Sequence, residues 1–155
     1  MNNFYRNYLS YGNWFNMLLL LSVLLPLLIL SIYNHPSPAD DFCYIDTVFK
    51  IGWFEAMELY YTTWTGRYFG ILLNHSNPLL WHSFVGFKIL PIVLLVGFVV
   101  CLYGLIRQLT PTLSRQAHWG FAGVVFFLYI LKMASISESF YWMASFVTYT
   151  IPNML

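Results

Sequence analysis

The chain reads as an all-α integral membrane protein: three transmembrane helices, the start of a fourth, and a large outer loop with amphipathic interfacial helices. Three observations carry this reading. Charged residues make up 8% of the 155 and hydrophobic ones 59%, whereas a soluble domain carries about 25% charged residues. Mean hydropathy is +0.65, so too little polar surface exists to cover a water-soluble globule. Finally, three apolar runs approach or exceed the roughly 17 to 25 residues needed to cross a bilayer. The whole chain, 1–155, forms a single membrane domain in this reading. Its net charge of +1 offers no basic field for nucleic acid.

The first span is expected at 14–33, with Trp14 and Phe15 completing its inner end. A cleaved signal sequence ending at Ser37-Pro38-Ala39 is the alternative, but the apolar run exceeds the roughly 7 to 15 residues of such segments. The second span is expected at 84–106 and the third at 119–136. Pro26 and Pro91 interrupt two of the runs, which membrane helices tolerate. The loop at 34–83 and the segment at 137–150 then share one side. Ile151 opens a fourth span that the chain leaves after five residues, so the sequence reads as cut short.

Charge sets the orientation. All six acids lie either between Asp40 and Glu58 or at Glu138, while the other polar segments carry only Arg6, Arg107 and Arg115. Basic residues near spans stay on the cytoplasmic side, so the N-terminus is cytoplasmic and every carboxylate faces outward.

The outer loop is expected to be structured. His35-Pro36-Ser37-Pro38 favours an extended exit from the first span, and a helix begins near Phe42. Trp53, Phe54, Met57, Tyr60, Tyr61 and Trp64 then recur at the spacing of one helical face. That face meets either the headgroup layer or other protein. Cys43 and Cys101 are too far apart along this layout to pair. His35, His75, His82 and His118 lack ligand spacing, and Asn77-Pro78 breaks any helix joining His75 to His82, so zinc is not expected.

Three segments carry candidate chemistry. Asp40 and Asp41 are adjacent carboxylates; like charge and partial burial raise the pKa of one, suiting it to general-base work. The bland alternative is that one of them caps the helix. Trp64-Thr65-Gly66-Arg67-Tyr68 closes the aromatic helix, with Gly66 expected to permit a sharp turn that presents Arg67. A guanidinium grips phosphate oxygens in a fork, or it simply snorkels to headgroups or pairs with Glu58. Glu138 returns to the same side above Tyr141 and Trp142, where an interfacial belt is the alternative. Lys132, near the outer end of the third span, either snorkels or adds a second phosphate-binding charge.

Asp40-Asp41-Phe42, Trp64-x-Gly66-Arg67-Tyr68 and Glu138-x-x-Tyr141-Trp142, in that order, resemble the N-terminal part of bacterial polytopic GT-C-type glycosyltransferases of the surface-polysaccharide and lipopolysaccharide kind. The resemblance implies about eight to thirteen spans in the bacterial inner membrane. It also implies transfer of a sugar from a polyprenyl-phosphate donor to a glycan or lipid acceptor on the extracytoplasmic side, with inversion. Under it Asp41 is the catalytic base, supported by Asp40, and Arg67 faces the donor phosphate. Glu138, Trp64 and Lys132 are further substrate-binding candidates. A divalent cation is compatible with this scheme without being required, and 155 residues alone are expected to be inactive. Two other readings are a transporter or flippase fragment and a non-catalytic multi-pass protein. The charges lie near span ends rather than deep within them, which disfavours a transport path.

Overall fold

A computed structural model describes residues 3–154, with side chains from Trp14 onward. All regular secondary structure among these residues is helical. The long helices are α1 (Asn3–Ser31), α5 (Phe84–Leu109) and α6 (Arg115–Lys132). Between α1 and α5 lie α2 (Asp40–Ile51), α3 (Trp53–Thr63), α4 (Tyr68–His75) and a 3-10 turn at Pro78–Trp81. After α6 come α7 (Ile136–Phe140), α8 (Met143–Ser145), a π-helical turn at Phe146–Thr150 and a 3-10 turn at Pro152–Met154. The expected fourth span is thus represented by short turns, with Leu155 outside the described residues.

Two of the helices are long and apolar enough to cross a membrane. They are Trp14–Ser31 of α1, with mean hydropathy 2.2, and α5, with 2.8. Within the chain only 17% of the first and 28% of the second is buried. The expected third span is corrected in its limits: α6 begins four residues earlier, at Arg115, and stops at Lys132. Ser114 caps its start by accepting from the Ala117 N–H. Ser135 begins a separate helix by accepting from the Glu138 N–H. Polar residues at both ends of α6 dilute its apolar centre, and it is not among the helices that meet the length and hydropathy of a crossing.

The chain divides into two compact units. The first comprises the chain up to Leu30 and Leu95–Ala134. Here α6 presents Gly120 and Gly123 to α1. A methyl at Gly123 would stand 2.9 Å from both the Asn16 carbonyl oxygen and Leu20 Cβ, and one at Gly120 would stand 3.1 Å from Asn16 Nδ2. Small residues let helix backbones approach this closely. Phe98 packs on Phe126 and Tyr129, with ring centroids 6.3 and 4.7 Å apart.

The second unit comprises Ser31–Leu94 and the chain from Ser135. Its α2 starts with Asp40 and Asp41 in the first turn, where negative charge meets the positive helix end favourably. Gly52 joins α2 to α3 at φ +97°, a conformation that other residues adopt only under strain. Gly66 has no such need: its φ is not positive and a methyl there would meet nothing within 4 Å. The turn before Arg67 therefore does not depend on glycine, contrary to expectation. Asn77 caps the 3-10 turn by accepting from the Leu79 N–H at 2.9 Å, which separates His75 from His82 as the Asn-Pro pair predicts.

Candidate functional site

The second unit holds the carboxylates, and its short helices sort them into distinct surroundings. The aromatic stripe of α3 divides: Met57 is buried, while Phe54, Tyr61 and Trp64 are exposed. Trp64, at 77% exposure, stands at the rim of a groove between α2 and α3. That groove has a volume of about 330 Å³, and Asp40, Tyr44, Thr47, Tyr60 and Thr63 line it with Trp64. Tyr44 and Tyr60 pack at 5.1 Å, and both meet the ring of His75 edge-on, at 5.0 and 4.7 Å. Asp40 and Trp64, 24 positions apart, are therefore brought to one surface.

Asp41 is placed differently from its neighbour. Its side chain is only 1% exposed. One oxygen, Oδ2, accepts from the backbone N–H of Ser37 at 2.7 Å, and the other, Oδ1, is buried with no hydrogen-bond partner. The capping alternative does not describe this contact, because the carboxylate reaches back into the preceding loop rather than forward into its own helix. Its carbonyl oxygen accepts from Asn77 Nδ2 at 3.0 Å, tying α2 to the 3-10 turn. Burial pushes the carboxyl up from 3.8 to about 6; the Ser37 N–H opposes this and the charge of Asp40 adds to it. A raised carboxyl in the pair is what adjacency and burial lead one to expect.

The same unit buries polar groups to which the sequence assigned no role. His75 is fully buried; its Nδ1–H donates to the Ile71 carbonyl at 2.8 Å, and Nε2 has no partner. Desolvation lowers its pKa, with the Ile71 bond opposing, so the ring is neutral. Asn74 Oδ1 is a further buried acceptor without a partner. Desolvation, helped by Asp40, pushes the Tyr44 phenol up to about 12, keeping it protonated as a donor. The available signal was polarity out of place: Asn74, His75 and Asn77 punctuate an otherwise apolar stretch.

The remaining candidates fall elsewhere. Glu138 is exposed and lines a shallow groove of about 320 Å³ with His35, Ser37, Tyr141 and Trp142. Arg67 is exposed, and its guanidinium lies over the Tyr149 ring, 5.7 Å from the centroid; it lines neither groove. Lys132 is exposed at the end of α6 and belongs to the other unit. No three His, Cys, Asp or Glu side chains among the described residues are grouped to hold a metal ion. Chemically, the α2–α3 groove offers a carboxylate, phenol donors and an open indole face. Compared with models of protein families, with curated proteins and with solved structures, the chain matches none.

Proposed function

We propose that this chain is the N-terminal part of a membrane-bound glycosyltransferase of the extracytoplasmic surface, and that the α2–α3 groove receives a sugar ring from a polyprenyl-phosphate donor. The lining of that groove carries the reading: Asp40 beside Tyr44, Tyr60 and the open face of Trp64. A sugar presents hydroxyls to a carboxylate and C–H faces to aromatic rings, so one acid within an aromatic rim suits it. The volume lies at the lower end of the roughly 300 to 1,000 Å³ of small-molecule sites.

Two features support the membrane part. The apolar helices bury little of themselves, and exposed apolar area in water costs about 25 cal/mol per Å². The acids are segregated from Arg6, Arg107 and Arg115, which argues for a cytoplasmic N-terminus; the bacterial inner membrane is what the resemblance implies. In this reading α6, with exposed Phe121, Leu128 and Leu131, is a third crossing.

In the reaction, Asp40 takes the proton of the acceptor hydroxyl. The acceptor oxygen bonds to the anomeric carbon, the bond from that carbon to the phosphate oxygen breaks, and the lipid phosphate leaves with the electron pair. Asp41 is a positioning residue, fixed by Ser37 and Asn77. This exchanges the roles that the resemblance implies for the two acids, because only Asp40 lines the groove. Arg67, Glu138 and Lys132 lie outside it and take no part in the step.

The test is transfer of labelled sugar from a polyprenyl-phosphate donor in membranes where the chain is joined to the further spans that the resemblance implies. Asp40→Asn abolishes transfer, and Trp64→Ala raises KM about tenfold, the equivalent of about 1.4 kcal/mol of stacking. Wild-type turnover by Asp40→Asn in that context removes the proposal.

A further inference from the structure

We propose that the turn joining α5 to α6 is a binding site for a phosphate-bearing anion, held between the guanidinium groups of Arg107 and Arg115. A cavity of about 650 Å³ opens there, lined by both arginines with Tyr103, Pro111, Leu113 and His118. No carboxylate lines it. The unit that contains it has none at all: Asp40, Asp41, Asp46, Glu55, Glu58 and Glu138 all belong to the other unit. Among the described residues the one ion pair is Lys50 with Asp46. Two exposed guanidiniums therefore line one polar cavity with no protein carboxylate in its lining, and an anion between them meets both.

Two of the lining side chains are fixed in place. His118 is 5% exposed, and its Nε2–H donates to the Thr110 carbonyl at 2.8 Å. This bond joins Thr110, the residue after α5, to the first turn of α6. Tyr103 stacks on Trp119 with centroids 4.4 Å apart and meets His118 edge-on at 6.0 Å. The start of α6, capped by Ser114, adds its positive dipole end beside Arg115. Arginine forks match phosphate oxygens two at a time, which a pair of ammonium groups cannot reproduce. The site shares no residue with the α2–α3 groove and does not depend on the transferase reading.

One chemistry here has two sources. A lipid headgroup supplies phosphate if the turn meets the cytoplasmic leaflet, where basic pockets at helix ends bind anionic lipid. Free phosphate supplies it otherwise. The full chain is placed in bilayer discs of phosphatidylglycerol mixed with phosphatidylcholine, and co-purifying lipid is counted by native mass spectrometry. In parallel, inorganic phosphate is titrated into the chain in a maltoside detergent and followed by phosphorus NMR.

Arg107→Gln with Arg115→Gln lowers the binding about tenfold, a modest loss for two charged hydrogen-bonded contacts. Lys50→Gln, which also removes a positive charge, leaves it unchanged. Enrichment of phosphatidylglycerol that the glutamine pair reduces to that extent assigns the headgroup; saturable phosphate binding that the pair reduces likewise, without enrichment, assigns the free ion. The Arg107→Lys, Arg115→Lys pair keeps the charge and the fold but loses the forks, and it binds several-fold more weakly. Binding by the lysine pair equal to that of the parent, or no difference between parent and glutamine pair with either probe, overturns the site.

Discussion

Replacing Asp41 by Asn makes the protein more stable at neutral pH and leaves it nearly unchanged at pH 4. The buried carboxyl has a pKa of about 6 in the folded chain against 3.8 ordinarily. Between these values the unfolded chain has released its proton while the folded one retains it. The unfolded state then binds fewer protons, so stability falls as pH rises. The contribution of this group is fully present below 3.8 and is lost through about 6. The gap of about 2.2 pH units, at about 1.36 kcal/mol each, amounts to about 3 kcal/mol. Asparagine keeps an oxygen for the Ser37 N–H and stays neutral throughout, as the protonated acid does. Denaturation in detergent, followed by far-ultraviolet circular dichroism, is compared for parent and variant at pH 4 and pH 7.5. The account predicts near equality at pH 4 and a variant advantage of about 3 kcal/mol at pH 7.5. A variant destabilised equally at both values, or parent stability rising across this window, refutes the reasoning.

The glycines give two further tests. Gly52→Ala costs about 1 to 3 kcal/mol because its backbone stands at φ +97°, where side chains are strained, whereas Gly66→Ala changes stability by less than about 0.5 kcal/mol; equal losses at the two positions contradict the assignment of the turn. Gly123→Ala forces α6 away from the Asn16 backbone and Leu20, 2.9 Å from the new methyl, and costs about 1 to 3 kcal/mol. Gly104→Ala, which meets nothing within 4 Å, is neutral or stabilising. Thermal unfolding of the four variants in one detergent decides both comparisons.

Several elements were legible because their signals are local. The apolar cores of α1 and α5 outlast any ordinary helix, and α3 announces itself by aromatic spacing. The limits of α6 were misjudged at both ends by following apolarity alone. The caps were present as Ser114 before Arg115 and as Ser135-x-x-Glu138, a capping-box spacing, and they outrank an apolar Ile136 in ending one helix and starting the next. The different fates of Asp40 and Asp41 were not legible. Adjacent residues on a helix differ by about 100° in direction, and only the packing of α4 and Asn77 against α2 decides which is covered. The expected meeting of Asp41, Arg67 and Glu138 rested on shared sidedness, which brings residues to one surface without placing them in one pocket. Arg67 instead finds an aromatic ring, a partner that sequence order alone does not reveal.

Cys43 reports at once on the groove and on the side of the membrane it faces. Its thiol is exposed and lines the groove beside Asp40, Tyr60 and Trp64. In a Cys101→Ser background, a membrane-impermeant maleimide is applied to sealed right-side-out vesicles, with and without a polyprenyl-phosphate-linked sugar. The account predicts rapid labelling from outside, slowed by the lipid-linked sugar but not by the bare polyprenyl phosphate. Labelling confined to inverted vesicles contradicts the topology, and a rate indifferent to the sugar contradicts the groove.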